Sequence, residues 1–360
     1  MPPRSVYVHI PFCKGICAYC DFPKVLYKED WAESYLSALF AEFSLRGIGS
    51  VDTIYVGGGT PSALSLPQLD SLLSFLSPHL SPGGEFSLEG NPESLTAEKV
   101  GLLRHFGVNR VSLGVQSSLP KYLSLLGRKH RFEQAREAVG RLKEAGIGNL
   151  NVDWMIALPG ETMADIKEEE RSFLGLDVPH LSVYTLILER GTEFWRRGIQ
   201  EASQDEQGEQ YEEVLSFLRG QGYDRYEVSN FARPGMQCRH NLAYWKDEEY
   251  YGVGMGASGF VGNIRYKNTS SLSSYLKGEG LSLSQEESGA EEFFLTNLRL
   301  EKGFSLEEYS RRFHSSFLED YQGECAKLVG QGLLRVENGR VFPSDRGMEL
   351  LDLILLELFR

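Results

Sequence analysis

Short runs of β-branched residues alternate with longer amphipathic segments over the first half of this 360-residue chain. Such alternation is typical of βα units, in which helices connect strands that pair in parallel. In residues 31–45, for example, aromatic and apolar side chains recur at every fourth position, as on one face of a helix. The pattern predicts six strands, at residues 5–10, 53–56, 85–88, 110–115, 150–157 and 181–186. Six such units fit either a doubly wound sheet or a barrel, and periodicity alone does not separate the two.

Unusual polar and glycine residues lie where the predicted strands end. Three cysteines follow the first strand and three consecutive glycines follow the second. Glu89 follows the third strand, Gln116 ends the fourth, and Asp153 lies within the fifth. In βα barrels the working groups lie on the loops after the strands. This placement favours a barrel with one functional site at the carboxyl end of its strands.

The charge balance limits the kinds of partner that the chain can have. Lys and Arg total 37 against 50 Asp and Glu, which gives a net charge of −13. This balance argues against a general nucleic-acid-binding protein. The longest apolar stretch, at residues 350–359, is too short and too acidic to span a bilayer, and the N-terminal residues contain no long apolar run. We therefore expect a cytoplasmic protein without a transmembrane segment.

The last part of the chain has a different pattern. Residues 267–289 are rich in Ser and Gly and are predicted to form a linker. From residue 290 the pattern is helical, interrupted by Asn338-Gly339 between apolar runs, which predicts a type I′ hairpin. Helices with one hairpin suggest a small winged-helix-like domain over residues 290–360. From residue 286 onward there are 9 Lys or Arg against 15 Asp or Glu, which disfavours a DNA-reading role.

Three of the five cysteines, Cys13, Cys17 and Cys20, fall within eight residues just after the first predicted strand. In a reducing compartment such crowding indicates metal ligation and not a disulfide framework. A structural zinc site needs four ligands, and the other cysteines, Cys238 and Cys325, are remote in the sequence. Three thiolates on one loop instead suit a cubane iron–sulfur cluster whose fourth iron is open to a small chelating molecule.

The loop has the form CxxxCxΦC, where Φ is the aromatic Tyr19, and it resembles the radical S-adenosylmethionine (SAM) superfamily. Further blocks along nearly the whole chain resemble the oxygen-independent coproporphyrinogen III oxidase family and its HemW-like haem-chaperone branch. These blocks are YVHIPFC, YVGGGTPS, EGNPE, NRVSLGVQS, LGRKH, NVDWMIALPGET, HLSVYTLILERGT, YEVSNFA and HNLAYW. The resemblance implies an α/β fold with a partial (β/α)6 TIM-like radical SAM barrel, here over residues 1–266, before the linker and the C-terminal domain.

The resemblance also implies the cofactors and the residues that hold them. The three clustered cysteines would carry a [4Fe–4S] cluster, and SAM would chelate its free iron through amino and carboxylate groups. A glutamate can accept a charge-assisted hydrogen bond from that amino group, an arginine can pair with a carboxylate, and an aspartate can bridge ribose hydroxyls. By this resemblance the SAM contacts are Tyr7, Tyr19, Gly58, Gly59, Thr60, Glu89, Gln116, Arg128 and Asp153.

Three features distinguish the branches of this family. In the decarboxylating oxidases a further cysteine lies two residues after the third, whereas this chain has Phe22 there, as HemW-like proteins do. The first predicted strand begins at residue 5, so the N-terminal arm that helps to form the oxidase substrate site is expected to be absent. The segment HNLAYW matches the HNxxYW signature of the HemW-like branch. Coproporphyrinogen dehydrogenase activity is therefore expected to be absent.

The HNLAYW segment is also the predicted haem site, within residues 238–260. His240 is the candidate ligand of the haem iron, because a neutral imidazole is a normal axial ligand. Tyr244 and Trp245 are aromatic side chains that can pack against a porphyrin. Cys238 is the alternative ligand, through its thiolate. A purely structural role, in which His240 hydrogen-bonds a loop beside the barrel, also fits the sequence.

The predicted function is that of a haem chaperone that binds the cluster, SAM and haem and transfers haem to haem-dependent acceptor proteins, with respiratory enzymes as candidates. One alternative is an oxygen-independent coproporphyrinogen III dehydrogenase that converts two propionates to vinyl groups. Another is a cluster-bearing scaffold with neither haem nor catalysis. The acceptor, the mode of haem attachment and the oligomeric state, with a homodimer as one option, stay open at this point.

Overall fold

The computed structural model describes residues 2–282 and 284–359. The strands are β1 (Ser5–Ile10), β2 (Phe12–Cys13), β3 (Val25–Leu26), β4 (Val51–Gly58), β5 (Leu80–Gly90), β6 (Arg110–Gln116), β7 (Asn149–Ile156), β8 (His180–Thr185), β9 (Asp224–Arg225), β10 (Asn230–Ala232), β11 (Tyr251–Val253), β12 (Ser258–Val261), β13 (Ile264–Lys267), β14 (Ser284–Glu287), β15 (Phe304–Ser305), β16 (Leu334–Glu337) and β17 (Arg340–Pro343).

The α-helices are α1 (Glu29–Leu45), α2 (Leu66–Leu76), α3 (Ala97–His105), α4 (Pro120–Leu125), α5 (Phe132–Glu144), α6 (Met163–Leu174), α7 (Glu193–Arg196), α8 (Gln204–Gly220), α9 (Arg239–Trp245), α10 (Leu272–Leu276), α11 (Ala290–Asn297), α12 (Leu306–Phe313), α13 (Phe317–Asp320), α14 (Gln322–Gly330), α15 (Asp345–Glu349) and α16 (Leu351–Leu358). None of the helices in these described ranges is long and apolar enough to cross a membrane.

The central sheet has the strand order β11-β1-β4-β5-β6-β7-β8-β10-β9. The strands from β1 to β8 in this sheet are parallel neighbours in chain order, as the βα pattern predicted. Their bounds lie within two residues of the predicted bounds, except that β5 begins five residues earlier, at Leu80. Val51 of β4 pairs with Leu80, whereas Thr53 pairs with Glu85. This register shift between the two strands accounts for the extra length of β5. The sheet ends in β11 and β9, so the barrel is partial.

Side chains alternate between the two faces of each strand, and the two faces differ in polarity. In β6, Val111, Leu113 and Val115 are buried in the main hydrophobic core. The alternate residues Arg110 and Ser112 line the barrel interior instead. The same alternation recurs in β4, β5, β7 and β8. Burial of the apolar face against the helices stabilises the fold, and the interior is left lined with polar groups at the carboxyl ends of the strands.

The Gly-rich segment after residue 249 adds strands to two sheets. It contains β11, which pairs in parallel with β1, and β12, which pairs with β13. Gly252 in β11 has room for no side chain, because a Cβ atom there would lie 1.9 Å from the carbonyl oxygen of Ser258. Close backbone approach of this kind is a normal reason for glycine within a strand.

The C-terminal part of the chain forms a hydrophobic core of its own from α11 onward. The predicted type I′ hairpin is confirmed: Asn338 (φ 52°) and Gly339 (φ 73°) join β16 and β17, in which Glu337 pairs with Arg340. Residues 267–289, where we expected a linker, contain α10 and β14, and β14 pairs with β13. The domain boundaries at residues 266 and 290 remain a proposal.

Candidate functional site

A cavity of ≈ 480 Å³ opens at the carboxyl ends of the parallel strands. It brings together residues that are far apart in the sequence but follow neighbouring strands. The sequence-predicted site residues that line it are Cys13, Cys17, Tyr19, Cys20, Gly58, Gly59, Thr60, Glu89, Gln116, Arg128 and Asp153. Tyr7, Cys238 and His240 lie outside this lining and are described below.

The cysteine loop is held by its backbone. Tyr27 donates to the Cys13 carbonyl oxygen (2.9 Å), Cys20 to that of Cys17 (3.3 Å), and Ala18 to that of Leu126 (3.1 Å). These bonds fix the loop between β3 and the end of α4. The three cysteines are therefore presented to the cavity by an ordered backbone.

The surroundings of the cysteine thiols favour ligation of a positively charged metal group. Burial raises the pKa of the Cys13 thiol to about 11, and the nearby Cys20 and Cys17 sulfurs add to this rise. The Thr60 hydroxyl, 3.6 Å from Cys13 Sγ, opposes it. Burial also raises the pKa of Cys20. Thiolate ligation displaces these protons, because a bound metal stabilises the charge that burial and mutual repulsion disfavour. The donor set fits the implied iron–sulfur cluster.

The three glycines after β4 let the backbone approach the cysteine loop and Glu89. At Gly57 a Cβ atom would lie 2.9 Å from the Glu89 carboxyl carbon, and at Gly59 one would lie 2.7 Å from the Pro11 carbonyl carbon. Gly58 has φ +113°, a conformation that side chains disfavour. The Gly58 N–H then donates to Glu89 Oε2 at 3.0 Å. Glycine is thus required here by space and by backbone conformation.

Two carboxylates face the same cavity. Glu89 accepts from the Tyr55 hydroxyl at 2.9 Å as well as from the Gly58 amide. Burial, followed by the nearby Asp153 charge, raises the pKa of Glu89 to about 7. Burial also raises the pKa of Asp153, which accepts from Asn151 Nδ2 at 2.7 Å. Cationic or hydrogen-donating groups of a ligand would stabilise both carboxylates.

Arg128 is the cationic counterpart of these acids. Its Nη1 donates to Cys17 Sγ at 3.4 Å, and its Nη2 donates to Asn91 Oδ1 at 2.8 Å and to the Gly114 carbonyl oxygen. Its buried Nε has no hydrogen-bond partner among the described residues. An unsatisfied buried donor is costly, so this side chain has capacity for an anionic ligand group at the edge of the cysteine loop.

Several cavity residues were not singled out from the sequence. Tyr55, Arg110, Ser112, Asn151 and Tyr184 all line the cavity. Tyr184 donates to Gln116 Oε1 at 2.6 Å, which orients the Gln116 amide. A usable signal was present, because these residues occupy the polar positions of otherwise apolar strands, spaced by two from other polar residues.

Tyr7 contacts the cysteine loop indirectly. The Pro23 carbonyl oxygen can only accept, so His9 Nε2 donates to it (2.8 Å) and His9 Nδ1 accepts from the Tyr7 hydroxyl (3.0 Å). Burial lowers the pKa of His9 to about 4, which is consistent with a neutral ring. In this structure Tyr7 and His9 support the loop that follows Cys20.

His240, in the first turn of α9, and Cys238, which directly precedes this helix, are fully buried. Thr53 Oγ1 lies 2.7 Å from His240 Nδ1, the Tyr244 hydroxyl lies 2.6 Å from Nε2, and the ring stacks on Tyr55. Burial lowers the pKa of His240 to about 3 and raises that of Cys238 to about 12. Neither His240 nitrogen is free to bind iron in this conformation, so an iron ligand here requires α9 to move.

The chain is similar to known proteins over nearly its whole length. Residues 7–172 match the family model of the Radical SAM superfamily, and residues 283–350 match that of the HemN C-terminal domain. The chain is 41% identical over 361 residues to the Heme chaperone HemW of Lactococcus lactis, covering 97% of this chain and 95% of that protein. It is 35% identical to the Heme chaperone HemW of Bacillus subtilis, covering 96% of each. The chain belongs to the HemW family.

A solved structure shows the same fold as this HemW family member. Coproporphyrinogen III oxidase (HemN) from Escherichia coli, described as a radical SAM enzyme, superposes with a TM-score of 0.86 at 23% identity, covering 99% of this chain and 90% of that one. The predicted α/β radical SAM fold with a small C-terminal helical domain is therefore confirmed. Membership of the radical SAM superfamily implies a [4Fe–4S] cluster and SAM.

A HemW variant tests the structural role of His240. We expect His240→Ala to lower the free energy of unfolding by about 2–4 kcal/mol, because the Thr53 and Tyr244 hydroxyls lose a buried partner and a cavity opens. Denaturant unfolding measures the change, with His105→Ala, at an exposed position on α3, as control. Unchanged stability together with loss of haem binding would instead support His240 as the iron ligand.

Proposed function

We propose that this HemW family member is a haem chaperone, which holds a [4Fe–4S] cluster and SAM in the barrel cavity, binds haem, and transfers it to haem-dependent acceptor proteins, with respiratory enzymes as candidates. The observation that carries the cofactor part is the convergence of three cysteines, without a fourth, on one polar cavity. Support for haem transfer comes from the names of the relatives that span nearly the whole chain. We propose a cytoplasmic location.

The residues of the cavity would each bind a different part of the two cofactors. Cys13, Cys17 and Cys20 would each bind one iron of the cluster, which, when bound, supplies one-electron reduction of SAM. Glu89 would accept from the SAM amino group, and Arg128 would pair with its carboxylate. Further contacts would come from Asp153 to the ribose, from Tyr19 to the adenine, and from Gly58, Gly59, Thr60 and Gln116, with Tyr7 acting through His9.

The pH dependence of SAM affinity tests the role of Glu89. With a pKa of about 7, the Glu89 carboxyl is mostly protonated below neutral pH. It must then lose its proton before it can accept from the SAM amino group as a charged carboxylate. We expect SAM affinity to rise by up to about tenfold per pH unit below pH 7 and to level off above it. Calorimetric titration of the anaerobic, cluster-loaded protein measures this profile. Glu89→Gln should flatten it, and an unchanged profile in that variant would assign the titration to another group.

The rival function is oxidative decarboxylation of coproporphyrinogen III. The likeness to HemN, at 23% identity, supports only the fold, and Phe22 stands where the oxidases have a further cysteine. We expect cluster-loaded protein supplied with coproporphyrinogen III, SAM and a reductant to yield no decarboxylated product, while the same preparation retains haem. Product formation would replace the chaperone proposal with the dehydrogenase. An intact cluster without haem uptake would favour the scaffold alternative.

A further inference from the structure

Four large apolar side chains are exposed on the cysteine loop and on the segment that follows β8. Their exposed fractions are 49% for Ile16, 62% for Phe22, 66% for Ile187 and 50% for Trp195. We call these four residues the mouth rim. Phe22 and Ile187 also line the cavity itself, so they stand at its opening. Phe22 is the position at which this chain departs from the oxidases, and the SAM site gives it no role.

The two halves of the mouth rim are in contact through the backbone and a small core. Phe194 N donates to the Ala18 carbonyl oxygen at 2.9 Å, which joins the start of α7 to the cysteine loop. Ala18 and Phe194 share one hydrophobic cluster with Leu186, and Tyr19 packs against it. The segment that carries Ile187 and Trp195 therefore lies against the loop that carries Ile16 and Phe22.

The mouth rim differs in polarity from the cavity below it. The interior is lined by charged and hydrogen-bonding groups such as Glu89, Arg128 and Asp153, which suit SAM. Exposed apolar surface that is concentrated at the edge of a functional cavity marks a binding site more often than a packing defect. A flat apolar ligand fits the rim better than it fits the polar interior, and an aromatic ring such as Phe22 can stack on its face.

The charge around the rim is positive although the chain as a whole is acidic. Residues 13–24 and 186–200 together contain five Lys or Arg and three Asp or Glu, in a chain whose net charge is −13. Lys24 Nζ donates to the Phe22 carbonyl oxygen at 3.2 Å, so a cation adjoins the rim aromatic. The Arg190 guanidinium lies 5.8 Å from the Trp195 ring centroid. These cations complement an apolar ligand that carries carboxylates.

We infer that the mouth rim is the docking surface for the haem macrocycle: one porphyrin face packs on Phe22 and Ile187, and the propionates face Lys24 and Arg190. This inference rests on the proposed function, because it specifies where the chaperone holds its cargo. It places haem at the opening of the SAM cavity and not at His240 in α9. It requires contact with the ring, with no need for His240 as iron ligand.

Variants of the rim test this site with two probes. Haem and metal-free protoporphyrin IX are titrated into cluster-loaded protein, followed by Soret absorbance and by porphyrin fluorescence. Phe22→Ala and Ile187→Ala should each weaken both ligands about tenfold, whereas Phe22→Tyr should bind as the wild type does. Leu45→Ala, which removes another exposed side chain (78% exposed) at the C-terminal end of α1, is the matched control. Iron and sulfide contents show that each variant keeps its cluster.

The outcomes separate this inference from the proposed function. Tight haem binding by the wild type with undiminished binding in both alanine variants would overturn the rim site and leave the chaperone proposal standing. Failure of metal-free protoporphyrin IX to bind, with haem binding intact, would also overturn it, because iron ligation would then hold the haem. A wild-type protein that binds no haem would overturn the proposed function itself, and the rim site with it.

Discussion

Replacement of any one of Cys13, Cys17 and Cys20 by alanine is expected to abolish the iron–sulfur cluster. Each thiolate would bind a different iron, and the chain places no other cysteine in the cavity, so two thiolates would have to hold the whole cubane. After anaerobic reconstitution, the iron and sulfide contents should fall from about four of each per chain to less than about one. All three variants should also lose SAM binding, because the open iron is lost with the cluster.

The matched control for these variants is Cys325→Ala, which removes a buried thiol from the core of the C-terminal part. It should reconstitute to the same iron and sulfide content as the wild type. Full cluster content in any of the three loop variants would contradict the assignment, since a side chain outside the loop would then be completing the site. Zinc in place of iron in anaerobically purified wild-type protein would contradict it equally.

Arg128→Gln is expected to weaken SAM binding roughly 100-fold or more, because it removes a buried cation from the proposed carboxylate contact and leaves that charge unpaired. Calorimetric titration of cluster-loaded protein measures the change. Arg128→Lys should lose less affinity, since it keeps the charge but not the planar donor geometry. Arg131→Gln, three residues along and exposed, is the control.

Arg128 also donates to Cys17 Sγ, so the result must be read together with the iron content. A variant with full cluster content and weak SAM binding supports the carboxylate contact. A variant that keeps both its cluster and its wild-type SAM affinity would contradict it, and the unpaired Nε would then need another ligand group.

The sequence predicted the parallel sheet well because the sheet is local in origin. Each βα unit consists of consecutive residues, in which an apolar run forms the strand and a segment with helical periodicity follows it. The cavity residues at strand ends followed from the same register. Arg110 and Tyr55 were missed because a single polar residue within an apolar strand does not by itself indicate a functional site. Their role is seen only when neighbouring strands place all such residues on one face.

The remaining features depend on contacts that the sequence does not reveal locally. β11 is a strand because β1, at the other end of the chain, offers it an unpaired edge. His240 is buried because Thr53 and Tyr244 satisfy its two nitrogens, and Thr53 lies in a strand 187 residues away. The sequence left both a ligand role and a structural role open for this histidine, and the tertiary packing shows that its ring points into the protein.

The proposal of a cluster-bearing haem chaperone can be tested by titrating haem into anaerobically reconstituted protein and then removing free haem on a sizing column. We expect each chain to retain one haem, with a saturable Soret band, together with a full iron and sulfide complement. Protein that carries the complete cluster and SAM but emerges from the column without haem would contradict it.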